Sequence, residues 1–129
     1  MKLGYALVYV HDVPGTIAFY ERAFAMQRRF IHESGQYGEM ETGATALSFA
    51  SEAMAEANGI AIRPNRPRDL ASGFELCLIV SDPQEAFDRA VAAGAAPVRP
   101  PEQKPWGQTV AYVRDLNGCL VELCTEVAS

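Results

Sequence analysis

One order of elements occurs twice in this chain, and few folds can hold such a repeat. Tyr5 to Val10 alternates Tyr5, Leu7 and Tyr9 with Ala6, Val8 and Val10, as a strand covered on both faces does. His11-Asp12-Val13-Pro14 then reads as a turn with Asp12 as N-cap, opening a helix to about Met26 with an apolar stripe of Ile17, Phe19, Tyr20, Ala23 and Phe24. Three short strands follow over 28–33, 36–41 and 45–50, separated by Gly35 and Gly43. The second half starts again with a strand from Phe74 to Val80 and a helix from Asp82-Pro83 to Gly94. A proline-interrupted edge segment, Pro97 to Lys104, leads to strands over 108–114 and 119–125. The expected architecture is α+β: two β-α-β-β-β modules, 1–50 and 73–129, forming a cupped, mostly antiparallel sheet with helices outside. Residues 51–72 form the connector, with a helical turn or two over 51–58 and then an irregular part holding Pro64, Pro67 and three arginines.

The repeat also assigns positions. Laying Asp12 on Asp82 gives an offset of 82 − 12 = 70 and sets Tyr5 opposite Glu75. Laying Gly43 on Asn117 gives 117 − 43 = 74 and sets Ser48 opposite Glu122. First and last strands of such a module run parallel and can lie side by side, so Glu75 is expected next to Glu122 and Cys77 next to Cys124, on one face.

Glu122 is the residue that asks for an explanation. Its neighbours Leu120, Val121 and Leu123 are apolar, and a carboxylate on such a strand is costly unless paired, protonated or bound to a cation. Two carboxylates facing one another favour a functional cleft over a purely structural role. Glu122 and Glu75 are therefore the candidate catalytic pair, with Glu122 placed to abstract a proton beside a carbonyl. Tyr5, Tyr9, Ser48, Trp106 and Gln108 are the candidate ligand-binding residues, the two tyrosines as oxygen-orienting donors and Trp106 as a pocket wall beside Gly107. Cys77 and Cys124 are read as small apolar fillers. His11, in a turn expected to be exposed, and His32 have no partner at ligand spacing and receive no role.

Charge and cysteine usage narrow the partners. A net charge of −5 disfavours nucleic acid and anionic membranes and favours a cationic or hydrogen-bond-donating ligand. No apolar run reaches the roughly 20 residues of a membrane span, the opening residues lack the layout of a secretory leader, and three cysteines without knuckle spacing suit a reduced, cytoplasmic setting.

Phe19-Tyr20, the turn Asp115-Leu116-Asn117-Gly118 and the strand Leu120-Val121-Glu122-Leu123 together resemble the vicinal-oxygen-chelate superfamily, which includes glyoxalase I, bleomycin-resistance proteins and extradiol-type dioxygenases. The resemblance covers essentially the whole chain, and Trp106-Gly107 is similar to a pair common in bleomycin-resistance-like members. It implies a small-molecule cleft and a homodimer. It also implies a divalent metal in the enzymes, held at positions that fall on Tyr5, Ser48, Glu75 and Glu122. Only Glu122 keeps the metalloenzyme identity: His is usual at the places of Tyr5 and Glu75, and Glu at the place of Ser48. The leading expectation is thus a small-molecule-binding protein of glyoxalase and bleomycin-resistance type without the full metal set. The alternative is a divalent-metal-dependent lyase, isomerase or dioxygenase using Glu75 and Glu122 as ligands. A third possibility is an interaction module with a vestigial cleft.

Overall fold

The computed structural model describes residues 1–127. Met1–Asn65 forms one compact unit and a second begins at Arg66. The first unit runs β1 (Tyr5–Val10), α1 (Val13–Phe24), β2 (Gln27–Ile31), β3 (Tyr37–Glu41), β4 (Ala46–Ser51) and α2 (Glu52–Ala57). The second runs β5 (Glu75–Ile79), α3 (Pro83–Ala92), β6 (Ala96–Gln103), β7 (Thr109–Arg114) and β8 (Leu120–Cys124). Each unit contains a four-stranded mixed sheet, in the orders β1-β4-β3-β2 and β5-β8-β7-β6. First and last strands of each repeat pair in parallel, and the other neighbours pair antiparallel.

The helices start as the sequence dictates. Asp12 accepts a hydrogen bond from Gly15 N and Asp82 from Glu85 N, each followed by proline in the first turn, where the missing N–H costs nothing. One face of each sheet then packs on its helix. In the first unit Val8, Val10, Met40, Leu47 and Phe49 are buried on that side, with Phe49 4.9 Å from the Tyr20 ring of α1. Gly38 lets the helix sit close, since a Cβ there would collide with Ile17. In the second unit Ala111, Val113, Val121 and Leu123 form the buried side.

The opposite sheet faces are left open. Direct partners share a face, so Tyr5, Leu7, Tyr9, Tyr37, Glu39, Ala46, Ser48 and Ala50 lie together in the first unit. Glu75, Cys77, Ile79, Tyr112, Glu122 and Cys124 lie together in the second. These residues position the candidate site.

The expected register needs a correction. Glu75 pairs with Leu120 and Cys77 with Glu122, so Glu75 is diagonal to Glu122 rather than beside it, and Cys77 likewise to Cys124. The first unit pairs Leu7 with Ser48, and offsets of 70 and 74 carry that pair onto Cys77 and Glu122. The repeat arithmetic is therefore right. A two-residue slip leaves every side chain on its face, so facial pattern alone could not detect it.

Candidate functional site

In the second unit the side chains of Glu75, Cys77 and Glu122 bring their ligand-capable atoms within 4.8 Å of one another. Three strands contribute: β5 carries Glu75 and Cys77, β8 carries Glu122, and β7 sets Tyr112 directly opposite Glu122. The Cys77 thiol donates to Glu75 Oε1 at 3.4 Å. Burial, then the hydrogen bond with Glu122, raises the pKa of Glu75. Burial also pushes Glu122 upward, but hydrogen bonds from Cys124, Glu75 and Tyr112 outweigh it and leave Glu122 lowered. Of the two hydrogen-bonded carboxyls, Glu75 therefore keeps its proton to higher pH and Glu122 ionises first. Burial and the nearby carboxylates push Tyr112 up to about 12 and Cys77 up to about 11, so both keep their protons at neutral pH.

The arrangement sets Glu122, which ionises more readily, beside Glu75, which holds its proton more tightly, so Glu122 is the better hydrogen-bond acceptor and Glu75 the stronger base. Trp106 reaches it through a chain of contacts. Its Nε1 donates to Gln108 Oε1 at 2.9 Å, and Gln108 Nε2 donates to Thr125 O at 2.9 Å. The Gln108 side chain also touches Cys124, which bonds Glu122. The indole itself is 60% exposed. Cys124 is buried, as a filler would be, whereas Cys77 is exposed, contrary to its expected role, because β5 is a sheet edge and its open face lacks cover.

The open face of the first unit is aromatic. Tyr5 is 54% exposed, and Tyr9 and Tyr37 are half-buried. Ser48 is fully buried, its Oγ 2.9 Å from the Tyr37 hydroxyl, which also donates to Glu39 Oε2 at 2.6 Å. Ser48 is thus sealed beneath Tyr37 rather than presented. His11 is exposed, as its turn position required, and lines a separate cleft of about 570 Å³ with Asp12 and Glu52 that shares no residue with these faces.

Tyr112, Tyr37 and Glu39 are site residues the sequence reading did not single out, and Cys77 is one it read as a filler. For Tyr112 a signal existed: a hairpin centred on Asn117 pairs 112 with 122. For Tyr37 none did, because it meets Ser48 diagonally across strands.

The positions that the resemblance gives to a metal do not fit one as a set. Ser48 is committed and sealed, and Tyr5 offers a phenol, which leaves two glutamates, one of them with a raised pKa that resists ionisation.

The pKa shifts predict a pH dependence. The raised Glu75 contributes stability that is complete below the unfolded glutamate value and lost as pH climbs through its folded value. The lowered Glu122 contributes stability present above the unfolded value and lost as pH falls through its folded value. Together they place the optimum near the ordinary glutamate pKa of about 4.3. Glu75→Gln removes the alkaline limb. Its melting temperature relative to the native chain should be highest at neutral pH, with the difference vanishing near pH 4; a pH-independent difference would contradict the raised pKa of Glu75.

Paired β-α-β-β-β units, each with helices on one sheet face and polar and aromatic groups on the other, define a class built to present that second face. The chain belongs to the glyoxalase/bleomycin resistance protein/dioxygenase superfamily, whose family model matches residues 2–123. Among solved structures it is similar to a glyoxalase-related enzyme from Fulvimarina pelagi, at 21% identity and a TM-score of 0.81, covering 98% of this chain and 88% of that one. A glyoxalase/bleomycin resistance protein/dioxygenase family enzyme from Burkholderia phytofirmans PsJN is similar at 24% identity and a TM-score of 0.78, covering 99% and 100%. TioX from Micromonospora sp. ML1 is similar at 22% identity and a TM-score of 0.71, covering 97% and 98%. No curated protein matches the chain. At these identities the likeness concerns the fold.

Proposed function

We propose that the chain binds a small organic molecule carrying positive charge or hydrogen-bond donors, with Glu122 as the central acceptor. The observation that supports this most is the hydrogen-bonded Glu75–Glu122 pair, set on an open sheet face with Tyr112 and Cys124 beside Glu122. A carboxylate there has spare lone pairs for a ligand N–H, and its lowered pKa favours accepting hydrogen bonds over abstracting a proton. In this reading Trp106 and Gln108 serve ligand binding beside Glu122 in the second unit, Tyr5 and Tyr9 serve it on the open face of the first, and the protein works as a homodimer, which a monomeric mass by light scattering at micromolar concentration would exclude.

Trp106 is the only tryptophan and reports directly. Titration with a panel of aromatic amines and amidines should give a saturable change in its emission. Glu122→Gln should weaken that binding on the order of tenfold or more, the size of a hydrogen bond to a charged group. Emission unchanged across the panel, or equal binding by Glu122→Gln, would remove the proposal.

A metal-dependent lyase, isomerase or dioxygenase is the second reading, favoured by the closeness of the Glu75, Cys77 and Glu122 donor atoms. An ion there would compete with the proton that Glu75 holds more tightly than usual and would find soft and hard donors mixed. Metal analysis of protein purified without chelators separates the two: below about a tenth of an equivalent, metal chemistry is out, since a resident ion of this kind is held near stoichiometrically.

A further inference from the structure

Trp106 is exposed, yet it is held at two levels. The backbone holds it first. It lies in the turn between β6 and β7, where Lys104 N donates to Gln108 O at 2.7 Å and Gly107 N donates to Lys104 O at 2.9 Å. The side chain is held second, because the only indole donor, Nε1–H, goes to Gln108 Oε1 at 2.9 Å. A large ring standing in solvent would ordinarily keep its rotamer freedom and bond water. Here its donor is committed inside the protein while its faces stay free.

Gln108 is the group that arranges this, and a ligand cannot reach it. It is only 8% exposed, and both ends of its amide are engaged: Oε1 takes the indole proton and Nε2 gives to Thr125 O at 2.9 Å. Val110 and Cys124, which pair directly beside it on the same sheet face, are buried too. At the β5 edge of that face Glu75, Cys77 and Ile79 are exposed. A molecule on the open face therefore meets the carboxyl pair and the Trp106 ring, and not the Gln108 amide that the sequence suggested as a ligand contact. Nor is Gln108 needed to close the strand ends. Thr109 N donates to Thr125 Oγ1 at 3.0 Å and Thr125 N to Thr109 O at 3.0 Å, so β7 and β8 are already tied there. What only Gln108 does is join the indole to β8, next to Cys124, which bonds Glu122.

We propose that Gln108 is a positioning residue of the ligand site: it fixes the Trp106 indole with its N–H committed, so that a ligand meets the ring and not the indole donor. This rests on the reading that Glu122 and Trp106 serve a small molecule, and it moves Gln108 from contact to support. A ring ordered in advance spares part of the ordering cost of binding.

The test reads Trp106 in the full chain, first without ligand. Its Nε1–H resonance should exchange with solvent about fivefold more slowly than that of free tryptophan amide, the size of one neutral hydrogen bond. Gln108→Met keeps the length of the side chain and should abolish that protection and lower the anisotropy of Trp106 emission. Gln108→Asn keeps an amide too short to reach and should do the same, so the outcome does not hang on one variant folding. Gln103→Met, the same kind of change at an exposed position of β6, should alter neither readout. Native exchange at the free rate, or protection retained in Gln108→Met and Gln108→Asn, would overturn the inference. Benzamidine, as one of the amidines in the emission panel, should bind both Gln108 variants several-fold more weakly than the native chain, and equal affinity would also overturn it. Protection lost in the variants while no panel member binds the native chain would leave Gln108 as the support of Trp106 and sink the ligand reading instead.

Discussion

Phe49→Ala should cost the protein about 3–5 kcal/mol, the largest loss expected from any single truncation in the first unit. Phe49 has no solvent exposure, lies centrally in β4, and meets the Tyr20 ring of α1 at 4.9 Å. Tyr20 in turn contacts Phe24 and Phe19, so the cavity would open in the middle of a connected aromatic cluster that cannot collapse onto small neighbours. Single domains are held by about 5–15 kcal/mol, so such a loss takes away about a fifth or more of the margin. Urea unfolding followed by circular dichroism should show the midpoint fall sharply. Leu70→Ala, at an 89% exposed position, should stay within about 0.5 kcal/mol. A change of under about 1 kcal/mol in Phe49→Ala would mean that the helix and sheet of the first unit are not coupled as described.

That coupling was readable before any coordinates, because helix and strand each advertised an apolar face. Ile17, Phe19, Tyr20 and Ala23 recur at helical spacing, and Asp12 and Asp82 each precede a proline-started helix, so element types and their order followed from local chemistry. The repeat then fixed which strands run parallel. The site was harder to read, and for a specific reason. Side chains on one sheet face recur every second residue, so a slip of two changes neighbours without changing faces, and Cys77 rather than Glu75 proved to sit opposite Glu122. The exposure of Cys77 was hidden for a related reason: cysteine composition says nothing about which edge of a sheet a strand occupies.

The first unit shows the other limit. Ser48 was assigned by symmetry to the place of Glu122, and the symmetry holds in the backbone. Its chemistry is nonetheless taken over by Tyr37, a residue two strand positions from its direct partner Glu39. A bulge between Arg28 and Phe30 completes that change, and one extra residue in an edge strand leaves almost no mark in composition or periodicity. Equivalent places in a repeat can therefore keep backbone geometry and diverge in chemistry, one as a hydrogen-bonded carboxyl pair, the other as a capped hydroxyl among aromatic rings.

Asp115→Ala should destabilise the second unit by about 2–5 kcal/mol, and the reason leads back to Glu122. The turn between β7 and β8 is closed by Asp115, which is 3% exposed and accepts hydrogen bonds on Oδ1 from Asn117 N at 2.8 Å and Cys119 N at 2.9 Å. Truncation strands both amides in buried surroundings, where each unpaired donor costs about 1–3 kcal/mol. Gly118 cannot shift to relieve them, because its φ of 88° and the Arg66 carbonyl packed against it hold the turn in place. Arg114 ties the same turn to residues 66–69 through Gly118 O at 2.8 Å and Asp69 O at 2.7 Å. Asp115→Asn keeps an acceptor oxygen and should lose only on the order of 1 kcal/mol. The hairpin that Asp115 closes is what sets Tyr112 opposite Glu122. The alanine variant should therefore also lose part of its Trp106 response to ligand, even under conditions where circular dichroism shows it folded. If it instead melts like the native chain and binds unchanged, the turn is not what holds the Tyr112–Glu122 pair in register.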